Sequence, residues 1–247
     1  MHGFCESKAI WESFVPTLAE KYRVIALDLG GFGKSADLLP TPVTIEALAT
    51  QVYDLLQSLA IQQATFVAHS LGGYVSLALA EKHPSLFAGL CLFHSTALAD
   101  TEEKKATRNK VITFVQKVGV ARYMQSFVAS LFYTKQAVKH QAAITYIEAI
   151  GKKTPLTSVV QVMAAMRDRP DRTHVLRTAT YPVMFIIGKE DITAPFPTYA
   201  AQIQLPKRVT VHVLEEVGHM GMFEAPTKTL KFVKDFCQQA VSPTETP

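Results

Sequence analysis

The sequence predicts an α/β protein with a mostly parallel central sheet flanked by helices. Short β-branched runs alternate with helical patterns, turn residues punctuate the junctions, and one long stretch of helix is inserted between two strands. Five segments read as buried strands: Arg23 to Leu27, Ala64 to Ala68, Gly89 to Phe93, Val183 to Ile187 and Val209 to Leu214. They have the look of buried parallel strands, short and rich in β-branched residues and bounded by turn signals.

Helical patterns lie between most of these runs. The first spans about Lys8 to Lys21. The clearest is Ile45 to Leu59, whose apolar residues at 45, 48, 49, 52, 55, 56 and 59 fall on one helical face, with Thr44 as N-cap. Leu71 to His83 ends before Pro84, and Thr227 to Gln239 begins after Pro226. Strand and helix in alternation give right-handed crossovers between parallel strands. From Ala99 to Thr178 the strand signals stop. Helices are predicted over Glu102 to Val118, Val120 to Leu131, Gln136 to Ile150 and Thr157 to Arg167, with breaks at Gly119, Lys152 to Pro155 and Pro170. A helical insertion after the strand ending near Phe93 reads as a cap, dividing the chain into a core of residues 1–98 and 179–247 and a cap of residues 99–178. Ser242 to Pro247 reads as a frayed tail.

Length and composition narrow the class. A chain of 247 residues that is 48% apolar builds one large core and accommodates the insertion. The net charge of +4 comes from scattered residues, so no basic track points to nucleic acid. Cys5, Cys91 and Cys237 are odd in number and far apart, which excludes a disulfide framework or zinc spacing and favours a reducing, cytoplasmic compartment. No apolar run approaches the roughly 18 residues of a membrane span. A small-molecule substrate is the expected partner, with no membrane, metal or cofactor, and the chain as monomer or homodimer.

The chemistry centres on Ala68-His69-Ser70-Leu71-Gly72-Gly73, which joins a strand to a helix. A sharp turn there exposes the Ser70 hydroxyl, and small residues at 68 and 72 let strand and helix approach. The helix start aims free N–H groups at a developing anion, making the Leu71 N–H the first candidate oxyanion donor. Two further loops follow strands: Gly188-Lys189-Glu190-Asp191 and Gly218-His219-Met220-Gly221. In a parallel sheet all three loops emerge at the carboxyl edge. A serine hydroxyl is a weak nucleophile until a base takes its proton, and imidazole titrates near neutrality. Ser70, His219 and Asp191 supply nucleophile, base and the carboxylate that orients the base, with Glu190 as the rival acid.

With His2-Gly3-Phe4 and Asp28-Leu29-Gly30-Gly31-Phe32-Gly33-Lys34-Ser35 added to these three loops, nearly the whole chain resembles the capped serine-esterase branch of the α/β-hydrolase superfamily. The resemblance implies Ser70, Asp191 and His219 as the triad and the Phe4 N–H as the second oxyanion donor. It also implies hydrolysis of a small, fairly apolar carboxylic ester, with an apolar cap over the site. Serine at position 70 argues against the family's dehalogenases and epoxide hydrolases, which use aspartate there. Acyl transfer, carbon–carbon bond hydrolysis and perhydrolysis share these residues, and a non-catalytic small-molecule receptor is the reading from another class. Gly30 stands where the family most often has proline. The strand that leads into the His-Gly turn in the family, and the hairpin before it, have no counterpart here. The expectation is that the chain is a shortened form of a longer protein, or that another segment fills the gap.

Other residues carry competing readings. His94 either faces the pocket or is a hydrogen-bonded structural histidine, and His69 packs beside the turn. Met163 and Met166, with Met220 and Met222, either line an adaptable apolar pocket or fill the core; His94, Met163 and Met220 are the candidate substrate contacts. Cys5 either lines the site or is a small buried hydrophobe. Gly33-Lys34-Ser35 lacks the glycine five residues earlier that a phosphate loop needs, since Asp28 stands there. The run Arg167-Asp168-Arg169-Pro170-Asp171-Arg172 reads as a solvated turn of alternating charge rather than an anion site.

Overall fold

The computed structural model describes residues 1–241; the predicted tail from Ser242 lies outside them. After a short 3-10 turn at Lys8–Trp11 come α1 (Val15–Ala19), α2 (Ile45–Ser58), β1 (Ala64–His69), α3 (Leu71–Lys82) and β2 (Phe87–Phe93). Five helices follow: α4 (Glu102–Val118), α5 (Val120–Leu131), α6 (Gln141–Gly151), α7 (Leu156–Asp168) and α8 (Thr173–Thr178). The chain then forms β3 (Val183–Gly188), β4 (Val209–Leu214), α9 (Gly221–Glu224) and α10 (Pro226–Val241).

The described strands form one four-stranded sheet in the order β1-β2-β3-β4. Every pairing is parallel, with Val67 opposite Cys91, Cys91 opposite Met184 and Met184 opposite Thr210. Side chains alternate across a strand, so Gly89 and Leu92 of β2 face opposite sides. A Cβ on Gly89 would meet Phe236 of α10, whereas Leu92 approaches Gly73 of α3. Helices α3 and α10 therefore cover opposite faces, which is why β2 and β3 read as unbroken apolar runs. Helix α3 is buried along nearly its whole length, sandwiched between the sheet and α2.

Thr44 caps α2 by accepting from the Ala47 N–H at 3.0 Å, as the sequence implies. The expected helix over Lys8 to Lys21 is instead a 3-10 turn and the five-residue α1, because Pro16 takes a first-turn position and starts the helix late. The expected helix from Gln136 begins only at Gln141, after a 3-10 turn at Thr134–Gln136. Two short helices, α8 and α9, are additions that the sequence pattern does not signal.

The predicted strand at Arg23 to Leu27 is corrected: it makes no ladder. Across from it, β1 is a sheet edge. Among the described residues only Met1 bonds to that edge, its N-terminal amine donating to the Val67 carbonyl at 2.6 Å and its carbonyl accepting from the His69 N–H at 3.0 Å. Behind Met1 a cavity of about 330 Å³ separates Arg23–Leu27 from Ala64–Val67, floored by Trp11, Phe14, Val52 and Leu56. No other described segment fills the gap, so the strand-like residues at 24–27 have no partner backbone to pair with and stay half-buried.

The Arg167 to Arg172 run also departs from a solvated turn. Arg167 and Asp168 pair at the surface, but Arg169 and Arg172 are buried. Arg169 donates to Asp100 at 2.7 Å and to the Met166 and Leu98 carbonyls, with its guanidinium stacked over Tyr74 of α3. Arg172 pairs with Glu81 of α3 and Glu46 of α2. The two arginines fasten the end of the helical insertion to the sheet's covering helices.

Candidate active site

Because all four strands are parallel, the loops after β1, β2, β3 and β4 share the carboxyl edge. Ser70 sits at the turn between β1 and α3 with φ 49° and ψ −114°. This left-handed backbone is costly for a residue with a side chain, and surrounding bonds hold it. The Ser70 N–H donates to the Phe93 carbonyl at 3.0 Å, while the Ser70 carbonyl accepts from the Gly73 N–H at 2.9 Å and the Ser95 hydroxyl at 2.7 Å. A Cβ at Gly72 would lie 2.9 Å from the Met1 and His2 carbonyls, so the start of α3 requires glycine there.

Asp191 and His219 meet behind this turn. The His219 Nδ1 lies 2.6 Å from Asp191 Oδ2, and both side chains are buried. Asp191 Oδ1 accepts from the Thr193 and Ala194 N–H groups at 2.7 and 3.0 Å. Burial alone would raise its pKa; the His219 charge and these hydrogen bonds outweigh that and hold the carboxyl below its ordinary value. As an ionised acceptor it fixes the proton on His219 Nδ1, leaving Nε2 as the basic nitrogen. The link to Ser70 runs through its neighbour: the His69 ring centroid is 4.9 Å from that of His219, and His69 Nε2 is 2.9 Å from the His219 carbonyl. Ser70 Oγ makes no protein hydrogen bond among the described residues. Such contacts commonly tighten only when substrate binds.

The His219 loop is itself held from two sides. Its N–H donates to the Leu131 carbonyl at the end of α5 at 2.7 Å. Buried Glu224 accepts from the N–H groups of Gly218, Met220 and Tyr133 at 2.8 to 3.1 Å. Glu224 is a site-building residue the sequence reasoning missed. Its only sequence signal is an acid five positions after the histidine, on a helix of four residues.

The second loop, His2-Gly3-Phe4, packs against the same turn. His2 is neutral, since burial pulls its pKa down to about 4. Its Nε2 accepts from the Leu29 N–H at 2.9 Å, so Nδ1 carries the proton and donates to the Gly3 carbonyl at 2.7 Å. In a trans peptide C=O and N–H point opposite ways. Fixing the Gly3 carbonyl therefore fixes the direction of the Phe4 N–H. Neither the Phe4 nor the Leu71 N–H donates to a protein acceptor among the described residues. The Phe4 ring packs edge-on against Phe32 at 6.0 Å and Phe127 at 6.1 Å, and Phe127 stacks on Tyr123.

The three expected substrate contacts all lie inside the fold. His94 is fully buried, also at positive φ, with its Nδ1 3.1 Å from the Gly188 nitrogen and 3.8 Å from Asp191 Oδ2, and its Nε2 3.2 Å from the Gly221 nitrogen. It buttresses Asp191 from behind and faces no open space. Met163 is packed between α4 and α7, its sulfur 3.3 Å from Arg108, and Met220 is fully buried. Aromatic Phe127 and Tyr123, rather than the methionines, stand beside the His2-Gly3-Phe4 loop. Cys5 is buried with its thiol pushed well up by burial, the bland reading of the two. Glu190 plays no part in the His219 contact.

A family model for the alpha/beta hydrolase fold matches residues 1–226. The chain belongs to the α/β-hydrolase family. It is a hydrolase of this fold. A thermophilic esterase from Thermogutta terrifontis superposes with a TM-score of 0.90 at 26% identity, covering 98% of this chain and 89% of that one. The 2-hydroxymuconate semialdehyde hydrolase of Pseudomonas sp. (strain CF600) is 26% identical over 94% of this chain and 82% of its own length. The dihydrolipoyllysine-residue acetyltransferase component of the acetoin cleaving system of Pseudomonas putida is 29% identical over 91% of this chain, which spans only 59% of that relative.

Proposed function

We propose that this α/β-hydrolase cleaves a small, fairly apolar carboxylic ester through an acyl-enzyme formed on Ser70. The observation that carries the reading is the buried Asp191–His219 contact of 2.6 Å beside a serine held at φ 49° at the start of α3. His219 Nε2 takes the Ser70 proton as Oγ attacks the acyl carbon. The oxyanion accepts from the Leu71 and Phe4 N–H groups, each worth roughly 10² to 10³ in rate. Collapse of the tetrahedral adduct breaks the ester bond as His219 passes its proton to the leaving alcohol. Water then enters, gives its proton to His219 and attacks the acyl-enzyme; the acid leaves and Ser70 regains the proton.

The likeness to the Thermogutta esterase supports an ester as substrate. The aromatic group of Phe4, Phe127 and Tyr123 supports an apolar acyl or aryl portion, with α4 to α8 acting as a cap (residues 99–178) on the core of residues 1–98 and 179–247. Relatives named as a semialdehyde hydrolase and as an acetyltransferase component, the latter spanned over only 59% of its length, keep carbon–carbon bond hydrolysis and acyl transfer as the alternative readings. Stopped-flow hydrolysis of p-nitrophenyl acetate and butyrate tests the reading. A burst of p-nitrophenol equal to the enzyme, absent in Ser70→Ala, is expected. Turnover that survives Ser70→Ala removes the proposed nucleophile.

A further inference from the structure

Beside the triad lies a second buried acid–histidine pair that the reaction above does not use. Glu6 and His69 are both buried, with Glu6 Oε2 3.0 Å from His69 Nδ1. The same Oε2 accepts from the Gly3 N–H at 2.6 Å. On its far side, His69 Nε2 is 2.9 Å from the His219 carbonyl oxygen. The packing leaves no room for change: a Cβ on Gly3 would sit 2.7 Å from His69 Nδ1 and 2.9 Å from Glu6 Oε2.

The partners decide the protonation of His69. A carbonyl oxygen only accepts, so Nε2 must carry a proton. Glu6 Oε2 already accepts from Gly3, and an ionised carboxylate only accepts, so Nδ1 must carry one too. Burial would raise the Glu6 pKa, but the His69 charge and the two hydrogen bonds outweigh it and hold the carboxyl low. The ring's other neighbours are Phe93 and His94, each 6.1 Å away, and His219 at 4.9 Å, and among the described residues Glu6 is the carboxylate paired with it.

We infer that Glu6 and His69 form a buried ion pair that serves the reaction as positioning residues, the doubly protonated His69 bridging the oxyanion loop to the main chain of the general base. This rests on the serine-hydrolase reading. One end of the bridge orders Gly3 and hence the neighbouring Phe4 N–H; the other end holds the His219 carbonyl. A neutral His69 has a single N–H for two acceptors, so one end must let go. Loosening either end displaces a donor or the base by a fraction of an ångström, and misplacement of about 1 Å costs around 10²-fold in rate.

Glu6→Gln keeps the shape and removes the charge. It is expected to lower kcat on p-nitrophenyl acetate by about 10- to 100-fold with KM within about twofold, because the donors act on the transition state rather than on ground-state binding. In parallel, ¹⁵N NMR of imidazole-labelled unmodified enzyme at pH 7.5 is expected to show His69 with protons on both nitrogens. In Glu6→Gln one of them should become unprotonated. A His69 ring with one bare nitrogen in the unmodified enzyme overturns the proposal, even if the variant does not fold. An unchanged kcat in folded Glu6→Gln overturns it as well. Failure of the serine reading is distinct: turnover would then persist in Ser70→Ala whatever the state of His69.

Discussion

Ser70 is the residue on which backbone strain and the proposed chemistry coincide. A side chain at φ 49° and ψ −114° costs on the order of 1–3 kcal/mol, and only glycine adopts it freely. Ser70→Gly is therefore expected to raise stability by about 1 kcal/mol, a Tm gain of roughly 2–4 °C by calorimetry, while abolishing turnover. An unchanged or lower Tm would show that the strain is absent or that the hydroxyl contributes to folding. His2 supplies a pH signature. Unfolded, it titrates near 6.5; in the fold, burial pulls it to about 4. Between those values the unfolded chain holds a proton that the folded one does not, so stability falls as pH drops through this window, by up to about 3 kcal/mol, and is fully present above it. Urea titrations at pH 7 and pH 5 should show this loss. In His2→Gln the slope between them should flatten, though not vanish, because buried His94 is depressed in the same direction. An identical slope in the variant would contradict the neutral, buried state of His2.

At the scale of elements, the arginines near the end of the insertion hold helices together. Asp100 is shared by Arg108 of α4 and Arg169 just past α7, and burial of the Asp100 carboxyl would raise its pKa were it not held down by both guanidiniums. Removing one partner of a buried pair is costly: Arg169→Ala is expected to lose about 3 kcal/mol in urea unfolding, and Arg167→Ala at the exposed end under 1 kcal/mol. Equal small losses would mean the clasp is not energetically distinct. The alternation of charge around Pro170 hides this, because spacing alone cannot say which arginine meets a partner 69 residues away. The strands β1 to β4 and helices α2, α3, α4, α5, α7 and α10 were legible because each has a long apolar period or a capping residue such as Thr44 or Pro226. Helices α8 and α9 were not, since six and four residues carry less than two turns of pattern.

For the whole molecule, the sheet has a gap. The segment Arg23–Leu27 has a strand's composition, yet pairing depends on a neighbour, and composition does not report the neighbour's presence. Val24 to Leu27 are expected to exchange their amides rapidly, while Leu90 to Phe93 and Val183 to Ile187 in the sheet interior exchange near the global unfolding limit. Equal protection at both places would mean the 24–27 segment is paired in solution. The candidate site was legible for a different reason from the fold. Ser70, Asp191 and His219 each follow a strand, and parallel strands deliver all such loops to one edge, so sequence order alone brought them together. The side chains packed around Phe4 were not legible. His94 follows β2 and Met220 follows His219 in sequence, yet both are buried in the core, while Phe127 comes from a helix whose docking on Phe4 no local pattern encodes. The central claim is an activated Ser70, and intact-mass detection of a fluorophosphonate adduct tests it without knowledge of the substrate. One adduct per chain, lost in Ser70→Ala, is predicted; folded protein that takes up no adduct, or that labels equally as Ser70→Ala, would contradict it.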